Sequence, residues 1–232
     1  MIDASGIPSV SSIYCDFKNI YQKNALIGVQ YRLKGDFSDY KKKIKTVALN
    51  EKSGYGYIFS KNKESLNVGI GIYNQSQIKV SGDELYQRLD NFIAEQKLKG
   101  EIVDKTGGIC PNVSPESTVY DNIILTGDAA GLTSPLHGGG IDSARISART
   151  AVKVIKEDNV EKYQYLLNNL LGKRIKVEKG LRDLWLKKGT KYVDKLLKIT
   201  VDKFNKNEIE NLFNNEIVLK EIRLASGILK YL

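Results

Sequence analysis

The chain has 232 residues, 41% of them hydrophobic, with 36 Lys+Arg, 27 Asp+Glu, two Cys and one His. That content suits a folded protein with a real core and excludes dominant disorder, while no apolar run reaches the ~18 residues of a transmembrane helix. Two cysteines and one histidine exclude a disulfide framework and a Cys/His metal knuckle.

The net charge of +9 is uneven. Residues 1–150 hold 18 basic and 16 acidic side chains, so residues 151–232 hold the other 18 and 11, a balance of +7. A basic C-terminal third suits nucleic acid, an anionic membrane surface or plain solvent. The opening Met1-Ile2-Asp3 has neither the basic nor the apolar stretch of a signal peptide, and a reducing, cytosolic setting follows.

In chain order, the first element is a very short strand running into Asp3-Ala4-Ser5-Gly6 and Pro8, which is turn chemistry. Residues 25–33 alternate as a half-buried strand does. Residues 55–60 and 66–73, parted by the polar stretch 61–65, read as an antiparallel pair. Leu85, Leu89, Phe92 and Ile93 recur at helical spacing over 83–98, with Ser81 and Asp83 as caps. Seven of the 20 glycines fall within 107–140, around a buried-type strand at 122–126. A helix follows from Ile141 to about Ile155, its stripe of Ile141, Ala144, Ala148, Ala151, Val152 and Ile155 suiting close packing on a sheet. Beyond 160 the pattern is helical, with apolar faces at Tyr163, Leu166, Leu167, Leu170 and Leu171, then Leu181, Leu184 and Trp185. Val193, Leu196 and Leu197 follow, then a last segment from Glu216 to Leu232.

A strand ending in Gly127-Asp128, a glycine-punctuated loop and a helix opening on Gly138-Gly139-Gly140 make a ligand-binding arrangement. Small residues let backbone approach a ligand, and a helix start offers unpaired N–H groups. Asp128, at a strand end, suits ribose or ribityl hydroxyls, although Gly-Asp alone more often caps a turn.

The run from Ile124 to Ala151 resembles the second flavin-binding motif of the p-hydroxybenzoate-hydroxylase-like flavoproteins, and within them the geranylgeranyl reductase family. Two further landmarks agree in order and spacing. Ile2-Asp3-Ala4-Ser5-Gly6 resembles that family's strand-plus-DASG segment. Gly54-Tyr55-Gly56-Tyr57-Ile58-Phe59-Ser60, with Asn67-Val68-Gly69-Ile70-Gly71 after it, resembles the aromatic Tyr-x-Trp-x-Phe-Pro motif and its next strand, Tyr57 standing for Trp and Ser60 for Pro.

The resemblance implies an α+β and α/β fold: an incomplete Rossmann-type FAD domain, an antiparallel substrate-domain sheet and C-terminal helices. The implied segments are 1–10 and 107–158 for the two parts of the FAD domain, 11–106 for the substrate domain and 159–232 for the helices. It implies FAD held by Gly127, Asp128, Ala129, Gly131, Pro135, Gly138, Gly139, Gly140 and Ile141, the helix N-terminus facing the flavin ring. Tyr55, Tyr57 and Phe59 would line the substrate pocket, although alternating strand aromatics are core more often than pocket. His137 is a loop histidine before it is a proton donor, and Cys15 and Cys110 are ordinary thiols.

The implied reaction reduces prenyl double bonds of isoprenoid lipids by hydride transfer from reduced flavin. It needs an external electron donor, with the basic helices peripherally on an anionic membrane and no nucleic acid partner. The chain carries no Gly-x-Gly-x-x-Gly, so the sequence reads as the C-terminal portion of such an enzyme that binds FAD weakly or not at all. Its catalytic residues cannot be assigned. A flavin monooxygenase or halogenase of the same fold, and a non-catalytic lipid-surface module, are the alternatives. The first strand is expected to pair with the 122–126 strand.

Overall fold

The computed structural model describes residues 1–14, 25–49, 54–74, 81–111, 115–192 and 195. Cys15, the Val193, Leu196 and Leu197 group and the 216–232 segment lie outside them.

The larger sheet is antiparallel throughout. Its strands are β2 (Ala25–Lys34), β3 (Ile44–Ala48), β4 (Gly54–Asn62), β5 (Ser65–Asn74) and β6 (Glu101–Pro111), in the order β3-β4-β5-β2-β6. Alternation explains its two faces. Val29, Tyr31 and Leu33 of β2 and Leu66, Val68, Ile70 and Ile72 of β5 point one way, beneath helix α1 (Gly82–Glu95). Leu85, Leu89 and Phe92 of α1 close that core. The packing is tight enough that a Cβ on Gly56 would lie 2.4 Å from the Phe92 ring. Ser81 caps α1, accepting the Glu84 N–H at 3.1 Å.

The opposite face carries Leu26, Gly28 and Gln30 of β2, Gly69, Gly71 and Tyr73 of β5, and Tyr55, Tyr57 and Phe59 of β4. β6 runs unbroken through residues 106 and 107, where a segment division was expected, so 107–111 pair with β2 in the larger sheet.

The smaller sheet has three strands, β1 (Ile2–Asp3), β7 (Val119–Tyr120) and β8 (Ile123–Leu125), in the order β1-β8-β7. β1 pairs parallel with β8, Ile2 beside Ile124 and Asp3 beside Leu125, as expected from the sequence. Helix α2 (Ile141–Lys156) packs with it. Helix α3 (Tyr163–Leu167) continues through a π-turn into α4 (Lys173–Lys188). Ile124, Leu125, Ala151, Val154, Tyr163, Leu167 and Leu171 form this second core.

Two helix faces differ from expectation. α2 buries Ser143, Ser147, Thr150, Ala151 and Val154, while Ile141, Val152 and Ile155 are exposed. Of the expected stripe only Ala151 is fully buried, because serine hydroxyls replace alanine methyls on the packed side: Ser147 accepts the Gly127 N–H at 3.0 Å. Likewise Leu170 and Leu181 are exposed, whereas Leu171 and Trp185 are buried.

Candidate functional site

Two concavities are connected by the packing of the 134–140 loop, which lines the first and contacts side chains that line the second. The first, of about 480 Å3, is lined by Ala4, Gly6, Thr126, Gly127, Asp128, Gly138, Gly140, Ile141, Ala144 and Ala148. β1 and β8 end together at its rim, and a chain of polar contacts holds the rim. Asp3 accepts from the Ser5 N–H (2.9 Å), the Ser5 hydroxyl (2.7 Å) and the Ser11 N–H (2.8 Å). Burial pushes this carboxyl up, but the hydrogen bonds from Ser11 and Ser5 outweigh it and bring it down to about 2.

Gly127 takes φ +57°, and a Cβ there would lie 3.1 Å from Ala144, so helix and turn meet closely. Thr133 donates to Asp128 Oδ1 at 3.0 Å, leaving that carboxylate beside the cavity. α2 begins at Gly140 with no side-chain cap, so its first N–H groups open toward the same space. Arg174 of α4 fixes that start through Asp142 and through the Ser143 hydroxyl at 2.7 Å.

Among the residues expected to hold flavin, Gly127, Asp128, Gly138, Gly140 and Ile141 come together here. Ala129, Gly131 and Pro135 are buried behind the loop and do not line the cavity, nor does Gly139. The Gly139 N–H donates to His137 Nδ1 at 3.1 Å, so this exposed histidine folds against its own loop.

The second concavity, of about 250 Å3, lies on the open face of the larger sheet. Tyr55 and Tyr57 line it with Leu26, Gly28, Gln30, Gly71, Thr106, Gly108 and Cys110. Phe59 is 40% exposed and stacks on Tyr57 outside the lining. Tyr57 lies across Gly69, where a Cβ would meet its ring at 2.4 Å, and donates to Gln30 Oε1 at 3.1 Å.

The two spaces touch through the loop. Tyr55 donates to the His137 carbonyl and Tyr73 to the neighbouring Leu136 carbonyl. Gly138, at φ +71°, sits so close that a Cβ would lie 2.7 Å from Leu26, 3.5 Å from Cys110 Sγ and 3.7 Å from the Tyr55 hydroxyl. Burial, reinforced by Cys110 and Tyr57, pushes the Tyr55 phenol up to about 12. Burial and the Asp128 charge raise the Cys110 thiol, which is free. Both groups therefore keep their protons at neutral pH.

Residues 24–110, which contain β2 to β6 and the groove, match the family model of the geranylgeranyl reductase catalytic domain. The chain is 36% identical over 143 residues to digeranylgeranylglycerophospholipid reductase 3 of Methanosphaera stadtmanae, covering 56% of this chain and 35% of that protein. It is 31% identical over 186 residues to the digeranylgeranylglycerophospholipid reductase of Methanococcus aeolicus, covering 77% and 46%. The chain thus spans less than half the length of these relatives. In fold it is similar to a geranylgeranyl bacteriochlorophyll reductase-like protein of Thermoplasma acidophilum (TM-score 0.62, 20% identity, 87% of this chain and 55% of that one). The flavin-dependent brominase Bmp2 shares the fold at TM-score 0.68 and 13% identity over 99% and 62%. The expected flavoenzyme fold and family resemblance therefore hold.

Sequence reasoning missed Gly28, Gly71, Gly108, Gln30, Thr106 and Cys110 as groove residues. A signal was present: glycines at alternate positions within otherwise apolar strands, which remove side chains from one face only.

Proposed function

We propose that the chain is part of an FAD-dependent oxidoreductase that reduces double bonds in the prenyl chains of isoprenoid lipids. The observation that carries this reading is the packing of Gly138, which lines the small-residue cavity at an uncapped helix start, against Leu26, Cys110 and Tyr55, which line the groove. The residues present suit the ring and ribityl parts of FAD. Glycine and alanine line the first cavity, Asp128 stands ready to accept from hydroxyls, and the first N–H groups of α2 suit an electron-rich ring edge. When bound, reduced flavin supplies the hydride, and an external donor must reduce it again.

The chain's own residues do the rest. Gly127, Asp128, Gly138, Gly140 and Ile141 hold the cofactor, with Gly139 in the same loop. Tyr55 and Tyr73 fix the loop's carbonyls, and Tyr55, Tyr57, Leu26 and Cys110 exclude water from the chain's path. The isoprenoid lipid for which the relatives are named fits a glycine-floored groove with one apolar wall better than a polar metabolite would. Val177 and Leu181 are exposed on α4 beside the exposed Lys173, Lys176, Lys187 and Lys188, which favours peripheral contact with an anionic lipid surface.

Titration of FAD into the purified chain, followed by flavin fluorescence, tests the cofactor site. The expected result is weak, saturable binding that falls further in Asp128→Ala and in Ala148→Phe, the latter filling the cavity from an exposed helix position. Binding that neither substitution changes would overturn the assignment.

A further inference from the structure

The register of the larger sheet lines up side chains in rows across the strands. Tyr55 of β4 pairs with Gly71 of β5, Gly71 with Gly28 of β2, and Gly28 with Gly108 of β6. One row carries Tyr73, Leu26 and Cys110; the row on the other side carries Tyr57, Gly69, Gln30 and Thr106. Partners in a row share a face, and alternate rows on each strand do too. The open face therefore holds a trench that runs across the strands.

Its floor is the backbone of Gly71, Gly28 and Gly108. One wall is Tyr73, Leu26 and Cys110, roofed by the Gly138 loop. The other wall is polar and braced: Tyr57 donates to Gln30 Oε1, and Gln30 Nε2 lies 3.5 Å from Thr106 Oγ1. Tyr55 closes the inner end. Among the described residues β6 is the edge strand, so the outer end opens past Gly108.

Sterics separate the three floor glycines. A Cβ on Gly28 would meet the Ile70 carbonyl at 3.3 Å, and one on Gly71 would touch Leu26 at 3.4 Å. Among the described residues, a Cβ on Gly108 meets nothing within 4 Å. Gly108 also lacks a positive φ, and β-branched residues favour strands, so the fold places no demand for glycine there. The space it leaves open is the mouth of the trench.

From this we infer that Gly108 determines specificity as the steric gate of the groove, admitting a methyl-branched hydrocarbon chain from the sheet edge toward Tyr55. The inference rests on the prenyl-reductase reading and adds the chain's direction and its limiting residue. Neighbouring strands are about 4.8 Å apart, so successive floor glycines are spaced by about the length of one trans five-carbon prenyl unit. A branch methyl then falls over each glycine Cα in turn. From Tyr55 to Gly108 is about 14 Å, three strand spacings.

Trp185 gives a readout that needs neither cofactor nor turnover. It is the only tryptophan, and its ring lies 6.0 Å from Tyr73 in the apolar cluster with Leu26, Tyr55 and Cys110. Geranylgeraniol titrated into the purified chain should change Trp185 emission saturably. Gly108→Val should weaken that binding by about tenfold or more, and Gly108→Ala by less, with unchanged near-UV circular dichroism. The straight-chain alcohol 1-octadecanol should lose less affinity than geranylgeraniol in Gly108→Ala. Unaltered geranylgeraniol affinity in a folded Gly108→Val would overturn the gate while leaving the groove reading intact. Equal losses for the two alcohols would overturn selection for branched chains, and no binding by the parent chain would overturn both readings.

Discussion

The two sheets hold together by different means. The five-stranded sheet buries Ile58, Leu66, Val68 and Ile70 completely beneath α1, whose Leu89 is equally buried, and its cohesion is apolar. The three-stranded sheet has strands of two or three residues, and its rim depends on hydrogen bonds to Asp3, Gly127 and Leu125. A region that seals one face with its own helix can leave the other face free for a ligand. A region that must present backbone to a ligand stays small and is braced by polar side chains. The contrast places the groove on the robust sheet and the glycine loop on the delicate one.

Removing a keystone of each sheet should break the contrast in opposite ways. Phe92→Ala empties the space over Gly56 and should cost about 3–5 kcal/mol, read as a lower urea midpoint. The groove of that variant should be lost along with the fold.

At the other sheet, the Asp3 carboxyl is held at about 2 against an ordinary 3.8, which corresponds to about 2 kcal/mol. The carboxyl is depressed in the folded state, so this stability is present above pH 4 and is lost as pH falls toward 2. Asp3→Asn should destabilise the chain at pH 7 by about that amount and flatten its stability profile over this acid range. An unchanged acid profile in thermal melts would show that the rim does not depend on the charge.

Much of this was legible in the sequence, and the reasons for the rest are physical. β5 reads as a strand because Leu66, Val68, Ile70 and Ile72 alternate with Asn67, Gly69 and Gly71. The Gly127–Ile141 run stands out because Gly, Asp and a helix start occur together. β6 did not stand out. Most of it is exposed on an edge, so Glu101-Ile102-Val103-Asp104-Lys105 has no reason to alternate. The buried face of α2 was misplaced because Ser147 and Thr150 satisfy their hydroxyls with helix carbonyls, Ser147 also carries the Gly127 turn and Ser143 accepts from Arg174, none of which hydropathy registers. The groove was half legible: tyrosines announce themselves, whereas a floor of missing side chains requires the register between strands.

A smaller effect separates the second core from its sheet. Tyr163 is fully buried on α3 and donates to the Leu125 carbonyl at 2.9 Å, at the end of β8. Tyr163→Phe keeps the ring and strands that carbonyl, a loss of about 1–2 kcal/mol in urea unfolding. If the polar bracing of this sheet is real, Tyr163→Phe should also weaken FAD binding, since Gly127 begins two residues beyond Leu125.

The smallest effect belongs to the apolar sheet and sharpens the comparison from its other side. Ser81 satisfies one N–H at the start of α1, and its loss to alanine typically costs about 1 kcal/mol. α1 is held mainly by Leu85, Leu89 and Phe92 against the sheet, so the cap adds to a helix already fixed. Ser81→Ala should lower the urea midpoint slightly and leave geranylgeraniol-induced Trp185 emission unchanged. The asymmetry is the point: one lost hydrogen bond in the apolar sheet should stay local, whereas one lost at the Tyr163 or Asp3 brace should reach the cavity beside Gly127. A Ser81→Ala chain that lost ligand binding would mean that the larger sheet, too, depends on its polar periphery to hold the groove in register.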